Sequence, residues 1–174
     1  LLVKEGFTGP IYATPATRDL CAIMLPDSAH VQEEDVYFVN KRRKQHGLPP
    51  IEPLYDYDDS LAAVKQVQSV SYDRWFPIVP GLLACFQDAG HMLGSAGVRV
   101  AFGKRNGDTP SLFFSGDRGG YDKPIIRDPE LVPDDETLLF ESTYGGRTNE
   151  SVDDSKERLL DVVLRTIQRG GKVI

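Results

Sequence analysis

The stretch FQDAGHMLGSAGVRV, residues 86–100, sets the reading of the chain. To its left, residues 82–87 have the apolar, β-favouring composition of a strand, and to its right residues 97–102 form a second such run. Between them lie Gly90, His91 and Gly94. A strand that runs out at Asp88 and Ala89 and passes at once into Gly90 and His91 places an imidazole where a rigid backbone gives way to an open loop. Whether that histidine matters depends on what stands at the other strand ends.

Two further strand ends share the arrangement. Residues 111–115 read as a strand that leads into Gly116 and Asp117, and residues 137–140 as one that leads into Glu141, Ser142 and Thr143. Histidine, aspartate and glutamate are the nitrogen and oxygen donors of zinc or manganese sites. Gly90 and Gly116 allow the backbone to turn tightly beside an ion. Each residue alone has an ordinary explanation: a turn histidine, an aspartate bonded to its own backbone, a solvated glutamate. The shared placement of His91, Asp117 and Glu141 is what points to a ligand site.

The rest of the chain is helical at its flanks and β-rich in its centre. Residues 11–14 read as a short strand, and Thr14 caps a helix that begins at Pro15. Pro26 is expected to interrupt that helix, Asp27 or Ser28 to restart it, and Gly47 to stop it after about His46. Residues 48–58 read as loop, with Asp59 or Ser60 capping a helix over 61–68. Residues 75–79 add a strand, and Arg105, Asn106, Gly107 and Asp108 contain an Asn-Gly hairpin turn. Residues 153–168 have helical periodicity, with Leu159, Leu160, Val163, Leu164 and Ile167 on one face. The class is α/β or α+β.

Composition narrows the function classes. The 174 residues suffice for one domain with a sizeable core. Twenty basic against 26 acidic residues give a net charge of −6, which argues against a protein that binds nucleic acid by overall charge and leaves room for a local groove. The dense basic run Lys41, Arg42, Arg43 and Lys44 reads first as a solvated helix face rather than a phosphate contact. Cys21 and Cys85 have no CxxC spacing and suit a reducing cytoplasm. No apolar run reaches the roughly 18 residues of a membrane span, and the opening LLVKEGFTGP lacks the pattern of a signal peptide. Residues 1–5 read as the end of a helix closed by Gly6, and residues 170–174 as the start of a buried strand. The sequence is therefore expected to be a piece of a longer protein.

Three motifs carry a family resemblance. AGHMLGSA (89–96) resembles the third motif of the metallo-β-lactamase superfamily, FSGDRG (114–119) resembles its fourth, and ESTYGGR (141–147) resembles the first motif peculiar to the β-CASP nucleases of RNA and DNA processing. DSAHVQEED, PLYDYDDS and RGGKVI resemble β-CASP segments in the same order, so the likeness covers most of the chain. The resemblance implies an α/β fold that is part of the αββα metallo-β-lactamase sandwich over residues 1–142, with the start of a β-CASP domain over 143–174. It implies His91 as a zinc ligand, Asp117 as a carboxylate bridging two zinc ions, and Glu141 as a catalytic-centre acid near them. Two such ions can activate a water and clamp phosphate oxygens, and a carboxylate such as Glu141 can orient a ligand histidine. The function implied is a cytoplasmic, zinc-dependent ribonuclease, endo- or exonucleolytic, acting on RNA or else DNA, without membrane association. An open sheet edge favours a homodimer and poor solubility of the piece alone.

The departures bear on activity. The family's HxHxDH motif is absent, and only His30, His46 and His91 occur. A closed zinc site takes about four ligands per ion, so this polypeptide alone is expected to be inert. Asn149 stands where relatives often carry histidine, and residues 55–60 lack a threonine usual after the tyrosine. Two other classes remain: a non-catalytic scaffold of the same fold, which the retained His91, Asp117 and Glu141 disfavour, and a hydrolase of small esters or thioesters, which ESTYG disfavours.

Overall fold

The computed structural model describes residues 1–103, 110–132, 134, 137–143, 145–146 and 152–173. The Asn-Gly turn expected at 105–108 lies outside the described residues, as do Tyr144, Arg147 and Asn149. The chain forms two compact units, Leu1–Glu141 and Ser142–Ile174.

The first unit starts with one helical turn closed at Gly6, whose N–H and that of Phe7 donate to the Val3 and Leu2 carbonyls. Then follow β1 (Ile11–Ala13), α1 (Pro15–Gln45), α2 (Tyr57–Gln66) and β2 (Val67–Ser69), and after them β3 (Phe76–Val79), β4 (Leu82–Asp88), β5 (Ala96–Phe102), β6 (Ser111–Phe114) and β7 (Thr137–Leu139). β1 and β2 pair in parallel. The other five strands form one sheet in chain order, antiparallel from β3 to β6, with β7 added parallel to β6.

α1 forms as expected at both ends and differs in its middle. Thr14 caps it, its Oγ1 accepting from the Thr17 N–H at 3.3 Å, with Pro15 at the first helical position. Gly47 and Leu48 close it by donating to the Lys44 and Arg43 carbonyls. Pro26 does not interrupt it: the helix runs unbroken for 31 residues. A proline forfeits one helical hydrogen bond, and the many remaining turns on either side outweigh that local loss. α2 also begins earlier than its sequence suggests. Asp56, not Asp59 or Ser60, is the cap, and Asp59 closes a reciprocal box: its N–H donates to Asp56 Oδ1 at 2.8 Å while the Asp56 N–H donates to Asp59 Oδ2 at 3.1 Å. That backbone hydrogen bond, ahead of nearby Lys4, holds the Asp59 carboxyl below its ordinary pKa. The helix ends at Gln66 because Val67–Ser69 is taken by pairing with β1, a partner distant in sequence.

The core is built on Phe76, Ala84 and Phe86, with Tyr12, Val70, Tyr72, Ala96 and Val98 packed against them. Tyr12 and Phe76 rings lie 4.7 Å apart, and Phe76 and Phe86 5.2 Å, so one aromatic row fastens the two-stranded sheet to the larger one. Phe113 is fully buried in β6 and lies over Gly97 of β5, where any side chain would collide with its ring.

The second unit contains α3 (Val152–Gln168), closed by Gly170 and Gly171 donating to the Ile167 and Thr166 carbonyls. Asp161 and Arg165 form an i,i+4 ion pair at 2.8 Å, and Leu159, Leu160, Leu164 and Ile167 are exposed. Among the described residues no helix is long and apolar enough to cross a membrane.

Candidate metal and nuclease site

The strand directions decide the geometry. β4 is antiparallel to β5, β5 to β6, and β7 is parallel to β6, so β4, β6 and β7 all run the same way. Their carboxyl ends therefore emerge along one edge of the sheet. The register sets the level: Asp88 pairs with Ala96, Val98 with Phe114, and Phe114 with Leu139. The residues that follow, Gly90 and His91 after β4, Asp117 after β6 and Glu141 after β7, leave the sheet side by side.

Backbone hydrogen bonds lace these loops together. The Gly119 N–H donates to the Ala89 carbonyl at 2.8 Å, joining the loop of Asp117 to the loop of His91. The Arg118 N–H donates to Glu141 Oε1 at 2.7 Å, joining the loop of Asp117 to the third strand end. Ser115, fully buried, holds the same junction from beneath: its N–H donates to the Leu139 carbonyl, and its Oγ accepts from the Glu141 N–H at 3.1 Å. Segment 127–130 closes the side. The Glu130 N–H donates to the Asp88 carbonyl at 3.0 Å, and the Arg118 guanidinium donates to the Glu130 carbonyl.

The His91 loop is shaped by its own residues and by α1. Ser95 Oγ accepts from the His91 and Met92 N–H groups at 3.1 and 3.2 Å, and the Gly90 N–H donates to Asp88 Oδ1 at 2.9 Å. The Thr14 and Thr17 hydroxyls at the start of α1 both donate to the Gly94 carbonyl, at 2.8 and 2.9 Å. Gly94 has φ +87°, and a Cβ there would lie 2.6 Å from Thr17 Oγ1. Only glycine meets both requirements, and that is the physical reason for the second glycine of the opening stretch.

His91 and Asp117 are exposed and Glu141 is half-buried. Histidine nitrogen and carboxylate oxygen are a donor pair suited to zinc, and these two fit as members of a ligand set. They are not a complete one: among the described residues, no group of three or more His, Cys, Asp or Glu side chains is placed to hold a metal ion. Beside the His91 loop lies a cavity of about 410 Å³ flanked by Thr14, Tyr72, Asp88, Gly94 and Arg127. Burial, and secondarily the Asp88 carboxylate, pushes the Tyr72 phenol above its ordinary pKa. Its hydroxyl donates to the Ser95 carbonyl at 2.9 Å. The sequence pattern singles out neither Tyr72 nor Arg127, because each reaches the loop across the fold from a segment without a motif.

This is a mixed α/β protein whose sheet presents ionisable side chains along one edge, in keeping with part of an αββα sandwich. No protein-family model matches the chain. It is similar to a ribonuclease of Thermus thermophilus, 31% identical over 173 residues, a match covering 99% of this chain and 35% of the ribonuclease. It is also similar to the transcription termination factor FttA of Thermococcus kodakarensis, 31% identical over 97% of this chain and 24% of the factor. FttA of Pyrococcus horikoshii is 32% identical, again over 97% and 24%. The chain thus spans about a quarter to a third of the length of these relatives.

Proposed function

We propose that the intact protein is a β-CASP nuclease of the metallo-β-lactamase superfamily that hydrolyses phosphodiester bonds in RNA with two zinc ions. This chain would supply His91 and Asp117 as two of the ligands, and the remaining ligands would come from outside it. The observation that carries this reading is the common sheet edge: Gly119 to Ala89 and Arg118 to Glu141 fix three separate strand ends beside one another. Similarity to a ribonuclease and to transcription termination factors supports RNA as the substrate class.

Bound there, such ions would supply a nucleophile at neutral pH and relieve charge on the phosphate. The chain's own contribution is positional. Asp117 is carried on a loop tied on both sides, so its carboxylate is offered without a large ordering cost. Glu141 accepts the Arg118 N–H, which fixes one carboxylate oxygen and sets the direction of the other.

The test is zinc content by elemental analysis of the full-length protein beside Asp117→Ala, with hydrolysis of a labelled RNA measured on both. About two zinc ions per chain, halved or lost in the variant together with hydrolysis, is the expected result. Full-length protein without zinc would overturn the metal reading and leave a scaffold of the same fold as the better account.

A further inference from the structure

The second half of α1 carries a feature that the strand-end site does not use. Tyr37, Lys41 and Lys44 recur at helical spacing on one face, and the chain after Gly47 folds back along that face. The returning segment is fastened: Asn40 exchanges two hydrogen bonds with the Ile51 backbone, both at 2.8 Å, and Arg43 Nε donates to the Pro49 carbonyl at 2.7 Å. Between helix and returning segment lies a groove of about 680 Å³, with Tyr37, Lys41 and Lys44 on one side and Leu48 and Pro50 on the other. Its walls are held by those hydrogen bonds, so the groove is preformed.

Its charge stands out from the acidic chain around it. No acidic residue lies three or four positions before or after Lys41, Arg42 or Lys44, so the helix offers them no neutralising neighbours. Among the described residues none of the three has an ion-pair partner. Beside them two aromatic rings are open to solvent, Tyr37 65% and Phe38 60% exposed, packed edge to face with centroids 5.4 Å apart. An acidic peptide would use the lysines and leave the rings idle. A single-stranded nucleic acid uses both, phosphates on the cations and an unpaired base on a ring.

We propose that this groove is an anchoring site for single-stranded RNA, with Lys41 and Lys44 contacting the backbone and Tyr37 stacking on a base. Along α1 it lies roughly 30–45 Å from the Gly94 contact at the helix start, by the helical rise per residue, so it holds a distal part of the strand. Its cleavage readout rests on the ribonuclease reading above; its binding readout does not.

The experiment measures fluorescence anisotropy of a labelled 20-nucleotide oligo(U) RNA with the full-length protein at several salt concentrations. Lys41→Gln/Lys44→Gln and Tyr37→Ala are compared with the parent, and circular dichroism checks that α1 is intact. The double variant should weaken binding about tenfold and reduce the salt slope by about 1.4, the contribution of two single-strand phosphate contacts. Tyr37→Ala should weaken binding about tenfold with little change in slope. Hydrolysis of an RNA too short to span both sites should be unchanged. Unchanged affinity and slope in the double variant would overturn the proposal, whatever the protein's catalytic activity. So would competition by polyglutamate as strong as by unlabelled RNA with Tyr37→Ala silent, which would make the groove a dock for acidic protein segments.

Discussion

Gly119 passes so close to Gly90 that a Cβ on Gly119 would collide with the Gly90 carbonyl oxygen and lie 2.8 Å from the His91 nitrogen. These two glycines let the loop of Asp117 and the loop of His91 touch through bare backbone, sealed by the Gly119 to Ala89 hydrogen bond. Gly119→Ala should therefore force the two loops apart. We expect a loss of about 1–3 kcal/mol in urea denaturation, the usual cost of overpacking, and, on the proposed ribonuclease reading, a lower rate of RNA hydrolysis by the intact protein. Gly120→Ala is the control: its Cβ would meet only the end of the Lys123 side chain at 3.5 Å or more. It should stay within about 0.5 kcal/mol of the parent. Equal losses in both would show that the close approach does not matter.

Ser115 anchors Glu141. Its Oγ, buried at the end of β6, accepts the Glu141 N–H and donates to the Gly116 carbonyl at 2.7 Å. Ser115→Ala would remove both bonds, with an expected cost of about 1–3 kcal/mol. On the proposed ribonuclease reading, a positional role predicts that hydrolysis by the intact protein falls further than the stability loss explains, read as kcat at a temperature where the variant is fully folded.

Thr14 does two jobs with one hydroxyl, capping α1 and gripping the Gly94 carbonyl. Thr14→Ala should cost about 1–2 kcal/mol in thermal denaturation. Thr14→Ser keeps the oxygen and should recover most of it. A serine variant as unstable as the alanine variant would assign the effect to the lost methyl group instead.

Glu130 carries a pH signature. Burial first, and the Asp73 carboxylate second, raises its pKa above the ordinary 4.5. The folded protein then binds that proton more tightly than the unfolded chain, so this group's contribution is fully present below about pH 4.5 and is lost as pH rises through the raised value. Glu130→Gln should flatten that decline and make the variant relatively more stable above the window. Denaturant midpoints measured between pH 4 and pH 7 would show it; parallel curves for parent and variant would remove Glu130 as the cause.

Local chemistry made much of this protein legible. The alternation of apolar runs with Gly and Asp marks β3 to β7 to within a residue or two, because strand composition and turn residues are nearest-neighbour properties. Thr14, Pro15 and Gly47 mark the ends of α1 for the same reason, since a cap is set by the few residues around it. The ionisable residues at three strand ends are visible as types at positions, and so is the similarity of the motifs that contain them.

What only the tertiary structure decided is anything that depends on a distant partner. Val67–Ser69 has helical neighbours and becomes a strand because β1 lies beside it. Pro26 has the chemistry of a helix breaker and sits inside a helix, its local loss outweighed by the turns around it. Tyr72 and Arg127 join the His91 loop from segments with no motif. Lys41 and Lys44, a plain basic run in sequence, line a groove only because Asn40 and Arg43 bind the chain that returns past them. Whether three strand ends meet depends on strand direction, which no strand carries by itself. The antiparallel steps from β4 to β6 and the parallel addition of β7 bring His91, Asp117 and Glu141 to one edge.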